Sequence, residues 1–476
     1  MLRKSVIALA FSLCGMPSLC LGQTYTPLTH PAPFGVVISL LLTDGTVLVQ
    51  AQTQAPYVRW YTLTPDKNGS YVNGQWGHPS ALPAGYAPFG QSEAVLADGR
   101  VVLIGGEYNN FVEDFTNMCA IYDPLTKLWA NLTPPDGWDF IGDSPLTVLP
   151  DGRVLVGNKL NKSLAVLDPS TLTWTTFRHD GKADFNAEEG WTLMPDGTLI
   201  TEDVKDAPNT EIYNPMTQTW SSLGPTPVDL HSPGGTEIDY GGPRPYRAPG
   251  EVGPAELMPD GSVFATGAIP KGGNRGHTAI YRNGSWHAGP NFPKNDSAAD
   301  TFETLLPNGH ALVTGISGSL FEFDGTSLTR EPVNVGFSSL LVLPTGEVLV
   351  AGSGVYTSPG SPDPSWAPTI TSSPTTITRG ATFQIFGTQF NGLSQANVLG
   401  DELESASNYP LVRITNGATG HVFYARTHDH STMGVATGST TVSTHVDVPA
   451  TMETGVSELE VVANGIPSAP FVVTVN

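Results

Sequence analysis

The chain has 476 residues, a formal net charge of −22, only 14% charged residues, 52 glycines and 41 prolines. That balance excludes a nucleic-acid partner, which needs Lys and Arg to neutralise phosphates, and it disfavours an anionic membrane surface. Many turn formers and few charges suit an all-β chain with little helix, and the plain reading of the acidity is colloidal solubility.

The first segment reads as an address. Arg3 and Lys4 precede an apolar run from Val6 to Leu13, and Gly22 is a small residue before an expected cut at Gln23, so 1–22 have the pattern of a secretory signal peptide. Nothing later is apolar enough over about 18 residues to insert into a bilayer. The expected product is exported, extracellular or periplasmic, with a net charge of −24 once Arg3 and Lys4 are gone. Cleavage also removes Cys14 and Cys20 and leaves Cys119 alone, so no internal disulfide can form and Cys119 is expected as buried packing.

From Leu41 onward one phrase recurs seven times: LLTDGTVLV, AVLADGRVVLIGG, TVLPDGRVLVGN, TLMPDGTLITED, ELMPDGSVFATG, TLLPNGHALVTG and LVLPTGEVLVAGS. Each is an apolar strand, a tight turn and a second apolar strand. Asp-Gly and Asn-Gly predict type I′ turns, with positive φ at both central residues, at Asp44, Asp98, Asp151, Asp196, Asp260, Asn308 and, less typically, Thr345. Spacings of roughly 40–65 residues match a four-stranded propeller blade. The prediction over 23–358 is therefore a seven-bladed β-propeller. The outer half of the blades reads AIYDPLTKLWANL, AVLDPSTLTWTTF and EIYNPMTQTWSSL, with weaker copies at Ala279 and Leu320. Trp129, Trp174, Trp220 and Trp286 recur at one position and are expected between blades, with Trp60 and Trp76 as their counterparts in blade one. This arrangement resembles the kelch repeat.

A Pro/Ser/Gly-rich linker is predicted at 359–367, and the texture changes at Pro368. Short alternating strands over 368–476 predict an immunoglobulin-like β-sandwich, here without core cysteines. Asn391 to Asn408 lacks alternation and is expected as a long loop.

A leader, a seven-unit kelch propeller and a C-terminal early-set domain together resemble the galactose oxidase and glyoxal oxidase family. FGQSEAVLADGRVVLIGG, APTITSSP and NGIPSAPFVVTVN carry the likeness. The resemblance implies one copper held by two histidines and two tyrosines, one tyrosine being cross-linked to a cysteine. The cysteine position falls in HPAPFGVVISLL, at Phe34 and Gly35; the tyrosine position in APFGQSEA, at Phe89 or Gly90; and the Tyr-His position in NVGFSSLL, at Gly336 and Phe337. Only the last histidine has a counterpart, His430 in RTHDHSTM, and no Tyr-His dipeptide occurs in the chain. One imidazole cannot hold a catalytic copper. The resemblance therefore implies the oxidase architecture without its copper-radical chemistry.

In that architecture the segments before the inner strands, and the loops after them, share one face. Asp143, Glu188 and Asp300 each lie eight residues before their turn, with Glu93, Glu189, Glu251 and Glu303 close by. Equal offsets place them at similar heights around the channel mouth. Such a ring can bind a hard cation such as calcium, contact sugar hydroxyls, or form an acid–base pair; it can also cap backbone N–H groups or face water. The longest insertion, Gly224 to Gly253, carries Asp229, His231, Tyr240, Arg244, Tyr246 and Arg247. Aromatics beside Arg and Asp suit polyol binding, and a bland rim loop is the alternative. His428 and His430 on one strand would share a face and, with Asp401 or Glu402, make a small metal site; by resemblance, the same loop plugs the channel. No cofactor is expected: copper is disfavoured, and calcium is the ion the acids would suit. The two functions left open are a non-catalytic recognition module for a glycan, polyol or extracellular protein, expected as a monomer, and an oxidoreductase or carbohydrate-active enzyme with an altered centre. A structural role in a surface assembly is a third.

Overall fold

The computed structural model describes residues 24–52, 58–178, 181–235, 237–238, 240–243, 245–395, 397–399 and 406–476. The leader (1–22), Arg244, Asp401 and Glu402 lie outside these residues. The described chain is all-β apart from one short 3-10 turn, Pro364–Trp366.

Seven antiparallel sheets, each with three more strands in order behind its first, account for the repeats; the first strand is at an edge in all but the sixth. Their first strands are Gly35–Leu41, Ser92–Val95, Leu146–Val148, Thr192–Leu193, Ala255–Leu257, Phe302–Leu305 and Leu340–Val342. The first strands of the second and third sheets touch, as do those of the fourth and fifth, the fifth and sixth, and the sixth and seventh, and the seventh touches the first. Strands such as Val101–Ile104 and Ala311–Thr314 are buried along their whole length. They are covered on both faces, which is why they read as unbroken apolar runs. The last sheet borrows its outer strand from the chain start: Thr24–Pro27 pairs antiparallel with Gly354–Thr357.

The repeated tryptophans sit between sheets, as the pattern predicts. Trp60 and Trp129 meet at 5.2 Å between ring centroids. Trp174 Nε1 donates to Thr133 O (2.6 Å) and Trp286 Nε1 to Thr210 Oγ1 (2.7 Å), each in the preceding sheet. Cys119 is buried and unpaired.

The turns are not type I′. Of the two central residues only glycine has positive φ, for example +76° at Gly45 and +86° at Gly99. Leu42 N–H donates to Thr46 O (2.8 Å) and Gly45 N–H to Leu42 O (3.0 Å), closing a three-residue loop with glycine last, the type I plus G1-bulge arrangement. Asp44 earns its place through its side chain, whose Oδ1 accepts from Thr46 N–H (2.9 Å). Asp98, Asp151, Asp196, Asp260 and Asn308 repeat that contact.

Beyond residue 368 two sheets share one strand and so form a single curled path. Val422–His428 pairs with Leu411–Asn416 through residues 422–425 and with Val442–Asp447 through 426–428, joining the two halves. The sheet curls around Ile385, Val412, Ile414, Leu459 and Val473. It seats on the turns of the first seven sheets: Arg426 Nη2 donates to Asp98 O (2.8 Å) and Met433 N–H to Pro150 O (3.0 Å).

The expected loop after Asn391 does something else. Asn397–Leu399 adds a fifth strand to Phe302–Leu305, Ser394 Oγ donates to the Glu256 carboxylate, and Gln395 Nε2 donates to Thr147 Oγ1 (3.0 Å). This segment, not the His428–His430 loop, runs among the first strands. The central wall it covers holds buried carboxylates. Glu303 is fully buried with neither oxygen hydrogen-bonded, and burial, reinforced by Glu256 and Glu202, pushes its pKa well up. Burial raises Glu202 from 4.5 to about 8. The folded protein therefore holds this proton more tightly than the unfolded chain, so the contribution of Glu202 to stability is most favourable below pH 4.5 and is lost as pH rises to about 8. Glu202→Gln is expected to flatten that slope in thermal melts taken across the window; an unchanged slope would show that Glu202 does not contribute.

Candidate functional site

Opposite the turns, at the other end of the first strands, lies a cavity of about 390 Å³. The lead-in segments of all seven sheets reach it: Val36 and Val37, Phe89 and Gly90, Asp143, Glu188, Glu251, Asp300, and Phe337. Glu107, Tyr108 and Glu113 enter from the loop after Val101–Ile104, Gln52 from the end of its strand, and Ile238 and Ala248 from the long insertion.

Four predicted acids, Asp143, Glu188, Glu251 and Asp300, thus meet in one place. The other candidates do not. Glu93 lies deeper on its strand, fully buried, and accepts from Gln91 Nε2 (3.1 Å). Asp229 and His231 bind each other, through Asp229 Oδ1 to the His231 N–H (3.0 Å) and Nδ1 (3.1 Å), away from the cavity wall. Burial lowers the His231 pKa against that carboxylate. Arg247 is exposed and its Nε donates to Gly235 O (3.2 Å). Tyr246 acts from behind the wall: its buried hydroxyl donates to Glu188 Oε1 (3.1 Å).

His428 and His430 are also elsewhere. His430 N–H donates to Ala97 O (3.2 Å) beside a turn. Ala97 is separated from Gly90 at the cavity by the strand Ser92–Val95, roughly 20 Å at about 3.3 Å per residue. The two histidines do not share a face, because the strand ends at His428 and Asp429 turns the chain with φ of +51°. His430 Nδ1 contacts Thr444 Oγ1 (2.8 Å), and its ring stacks on Tyr409.

The sequence reading omitted Lys159, which the site is built on. Its Nζ binds the Asp143 carboxylate and lies 2.7 Å from Glu188 Oε1, with a side chain 1% exposed. Phe115 and Tyr246 flank the ammonium at 5.4 and 5.5 Å. Burial works to lower its pKa, but Asp143 and Glu188 overcome this and hold the ammonium charged. Glu107 and Lys159 both follow second strands, in loops the repeat pattern assigns to this face. Six carboxylates, of Glu107, Glu113, Asp143, Glu188, Glu251 and Asp300, line the cavity, and Lys159 neutralises only part of that charge. Burial, with Glu188, Glu113 and Asp300 adding to it and Lys159 opposing, raises Glu107 to about 7. Burial and Glu188 raise Asp300 to about 6, against Lys159 and a bond to Glu251. Glu188 and Asp300 hold positive φ of 56° and 43°, a conformation that costs a non-glycine residue about 1–3 kcal/mol. Phe89 and Tyr108 (6.1 Å between centroids) and Phe302 and Phe337 (5.4 Å) supply ring surface, with Phe337 64% exposed.

Copper does not fit these residues. Phe89, Gly90 and Phe337 offer no side-chain donor where the resemblance calls for ligands, and His430 is at the far end of the strands. Among the described residues the six cavity acids do not bring three oxygens within reach of one ion either; the group that does meet that distance is His428, Asp429 and His445.

No family model matches the chain, and no curated protein sequence matches it. Among solved structures it is similar to a fungal alcohol oxidase of the AA5 family in complex with copper, at 15% identity and a TM-score of 0.51, over 95% of this chain and 99% of that one. It is also similar to the extracellular domain of a one-component system from B. thetaiotaomicron (11%, TM-score 0.47, 96% and 58% covered) and to virginiamycin B lyase from Staphylococcus aureus (12%, 0.45, 70% and 98% covered). At these identities the likeness concerns the fold.

Lys159→Met should leave Asp143 and Glu188 buried without their cation and destabilise the protein by about 3–5 kcal/mol in chemical denaturation. Adding Asp143→Asn and Glu188→Gln should recover much of that loss. Equal stability of Lys159→Met and wild type would remove the ion cluster from the account.

Proposed function

We propose that this chain is an exported seven-bladed, kelch-type propeller with an immunoglobulin-like C-terminal domain, and that it acts as a monomeric recognition module. Its ligand is a neutral or amine-bearing glycan or polyol held in the acidic cavity, without turnover. The observation that carries this reading is the convergence of seven lead-in segments on one wall of carboxylates and aromatic rings. Carboxylates and the Gln52 amide accept hydrogen bonds from hydroxyls, and charge-assisted bonds of this kind are the stronger ones. Phe89, Tyr108 and Phe337 offer flat apolar surface for the C–H face of a sugar ring. The excess of carboxylates disfavours uronic acids and phosphates. Binding in this reading needs no cofactor, and calcium suits an all-oxygen wall better than copper. Export rests on the leader pattern. No described helix is long and apolar enough to cross a membrane.

The pKa values of Glu107 and Asp300, about 7 and about 6, favour a second reading in which they serve as acid and base on a bound sugar.

On a glycan array the mature protein is expected to retain neutral or amino-sugar oligosaccharides and reject uronates. By calorimetry Glu107→Gln with Asp300→Asn should weaken binding at least about tenfold, the loss of about 1.4 kcal/mol. For an amine-bearing sugar, affinity should fall as pH drops below about 6 and both acids take up protons. Uronate binding, or unchanged affinity in the double variant, overturns the reading. Release of new reducing ends, lost in the same variant, establishes the enzymatic one.

A further inference from the structure

We propose that His428, Asp429 and His445 form a binding site for a divalent transition-metal ion of the zinc class, on the C-terminal sheet beside its seat on the turns. The site is independent of the acidic cavity.

His428 and His445 are directly opposed residues on paired antiparallel strands, and their rings lie nearly parallel at 5.5 Å. Asp429 follows His428 with a positive φ, and one of its carboxylate oxygens faces both rings. One ligand-type atom from each residue lies within 4.8 Å of the others. His428 Nδ1 is 2.8 Å from Asp429 Oδ2, and His445 Nδ1 is 4.0 Å from the same oxygen. Donors about 2.0–2.2 Å from a tetrahedral zinc sit some 3.3–3.5 Å apart, between those two separations. A small side-chain adjustment would therefore close the site.

Two further observations point to a ligand. His445 Nδ1 is itself buried, on a side chain 38% exposed, and has no hydrogen-bond partner, although Asp429 Oδ2 lies 4.0 Å away. Buried ring nitrogens ordinarily find partners. In addition, His428 Nε2 lies 3.2 Å from Asp447 Oδ1, and Asp447 Oδ2 is bound by Arg426 Nη1 at 2.7 Å. A carboxylate accepting the Nε2 proton leaves the Nδ1 lone pair for a metal, the carboxylate–histidine–metal arrangement. Arg426 spends its charge on Asp447 and on Asp98 O rather than on the three donors. Two imidazoles and one carboxylate suit zinc better than calcium or magnesium, which take oxygen. Asp429 is 60% exposed, which leaves the fourth position to water. An imidazolium donating from both nitrogens to Asp429 and Asp447 would satisfy the same His428 contacts without metal, and the test separates the two.

The test uses the mature protein without a polyhistidine tag, stripped with chelator and titrated with zinc chloride by calorimetry. Metal content is measured after desalting, and circular dichroism confirms that each variant is folded. One equivalent of zinc is expected, with a Tm that rises on loading and returns on chelation. His428→Ala and His445→Ala should abolish that equivalent, Asp447→Asn should weaken it by roughly 10–100-fold, and exposed His78→Ala should leave it unchanged. Cobalt(II) should give a visible spectrum of tetrahedral character. Absence of zinc binding by the wild type, or an equivalent that survives in His428→Ala and His445→Ala, overturns the proposal.

Discussion

Strands that are apolar on both faces constrain this molecule most. A sheet with one solvated face can stand at an edge, but runs such as Val101–Ile104 and Val348–Val350 are buried throughout and need a neighbour on each side. Stacking sheets face to face answers that need only if the row returns on itself. The pairing of Thr24–Pro27 with Gly354–Thr357 makes that return with backbone hydrogen bonds between the two ends of the row. Once the row closes, the first strands come together and their lead-in segments are carried to one place, whatever residues they contain.

The cavity follows from that closure. Residues far apart in sequence reach it because they hold equivalent positions in successive sheets. The resulting concentration of carboxylates is unfavourable by itself, and Lys159 offsets it by sitting beneath Asp143 and Glu188 with aromatic rings around its ammonium. The left-handed backbone at Glu188 and Asp300 adds a cost that the fold elsewhere must carry. Burial, with the neighbouring carboxylates adding to it, raises Glu107 to about 7 and Asp300 to about 6.

The C-terminal sheet meets the rest of the chain in two ways. It rests on the turns through Arg426 and Met433, and it sends 391–395 and 397–399 among the first strands, where Ser394 and Gln395 meet Glu256 and Thr147. The inserted backbone satisfies its own hydrogen bonds by pairing with Phe302–Leu305, the condition under which main chain tolerates burial. The cost appears at Glu303 on the paired strand, which is fully buried with neither oxygen hydrogen-bonded.

By itself the sequence determined the all-β character, the seven strand–turn–strand units, the placement of the repeated tryptophans between sheets and the acids carried on the lead-in segments. All of these depend on local periodicity, turn residues and equal spacing. That Phe89, Gly90, Gly336 and Phe337 stand where the family resemblance places copper ligands is likewise a reading of sequence alone. Turn type was misread because Asp-Gly is compatible with both the two-residue and the three-residue loop, and the side-chain bond to the second residue on decides between them. Lys159 was passed over because a single lysine in a polar loop has no periodic signature; its role exists only once Asp143 and Glu188 arrive from neighbouring sheets. The same holds for the strand formed by 397–399 and for His445 opposite His428: their partners are distant in the chain, so only tertiary structure decides which groups meet.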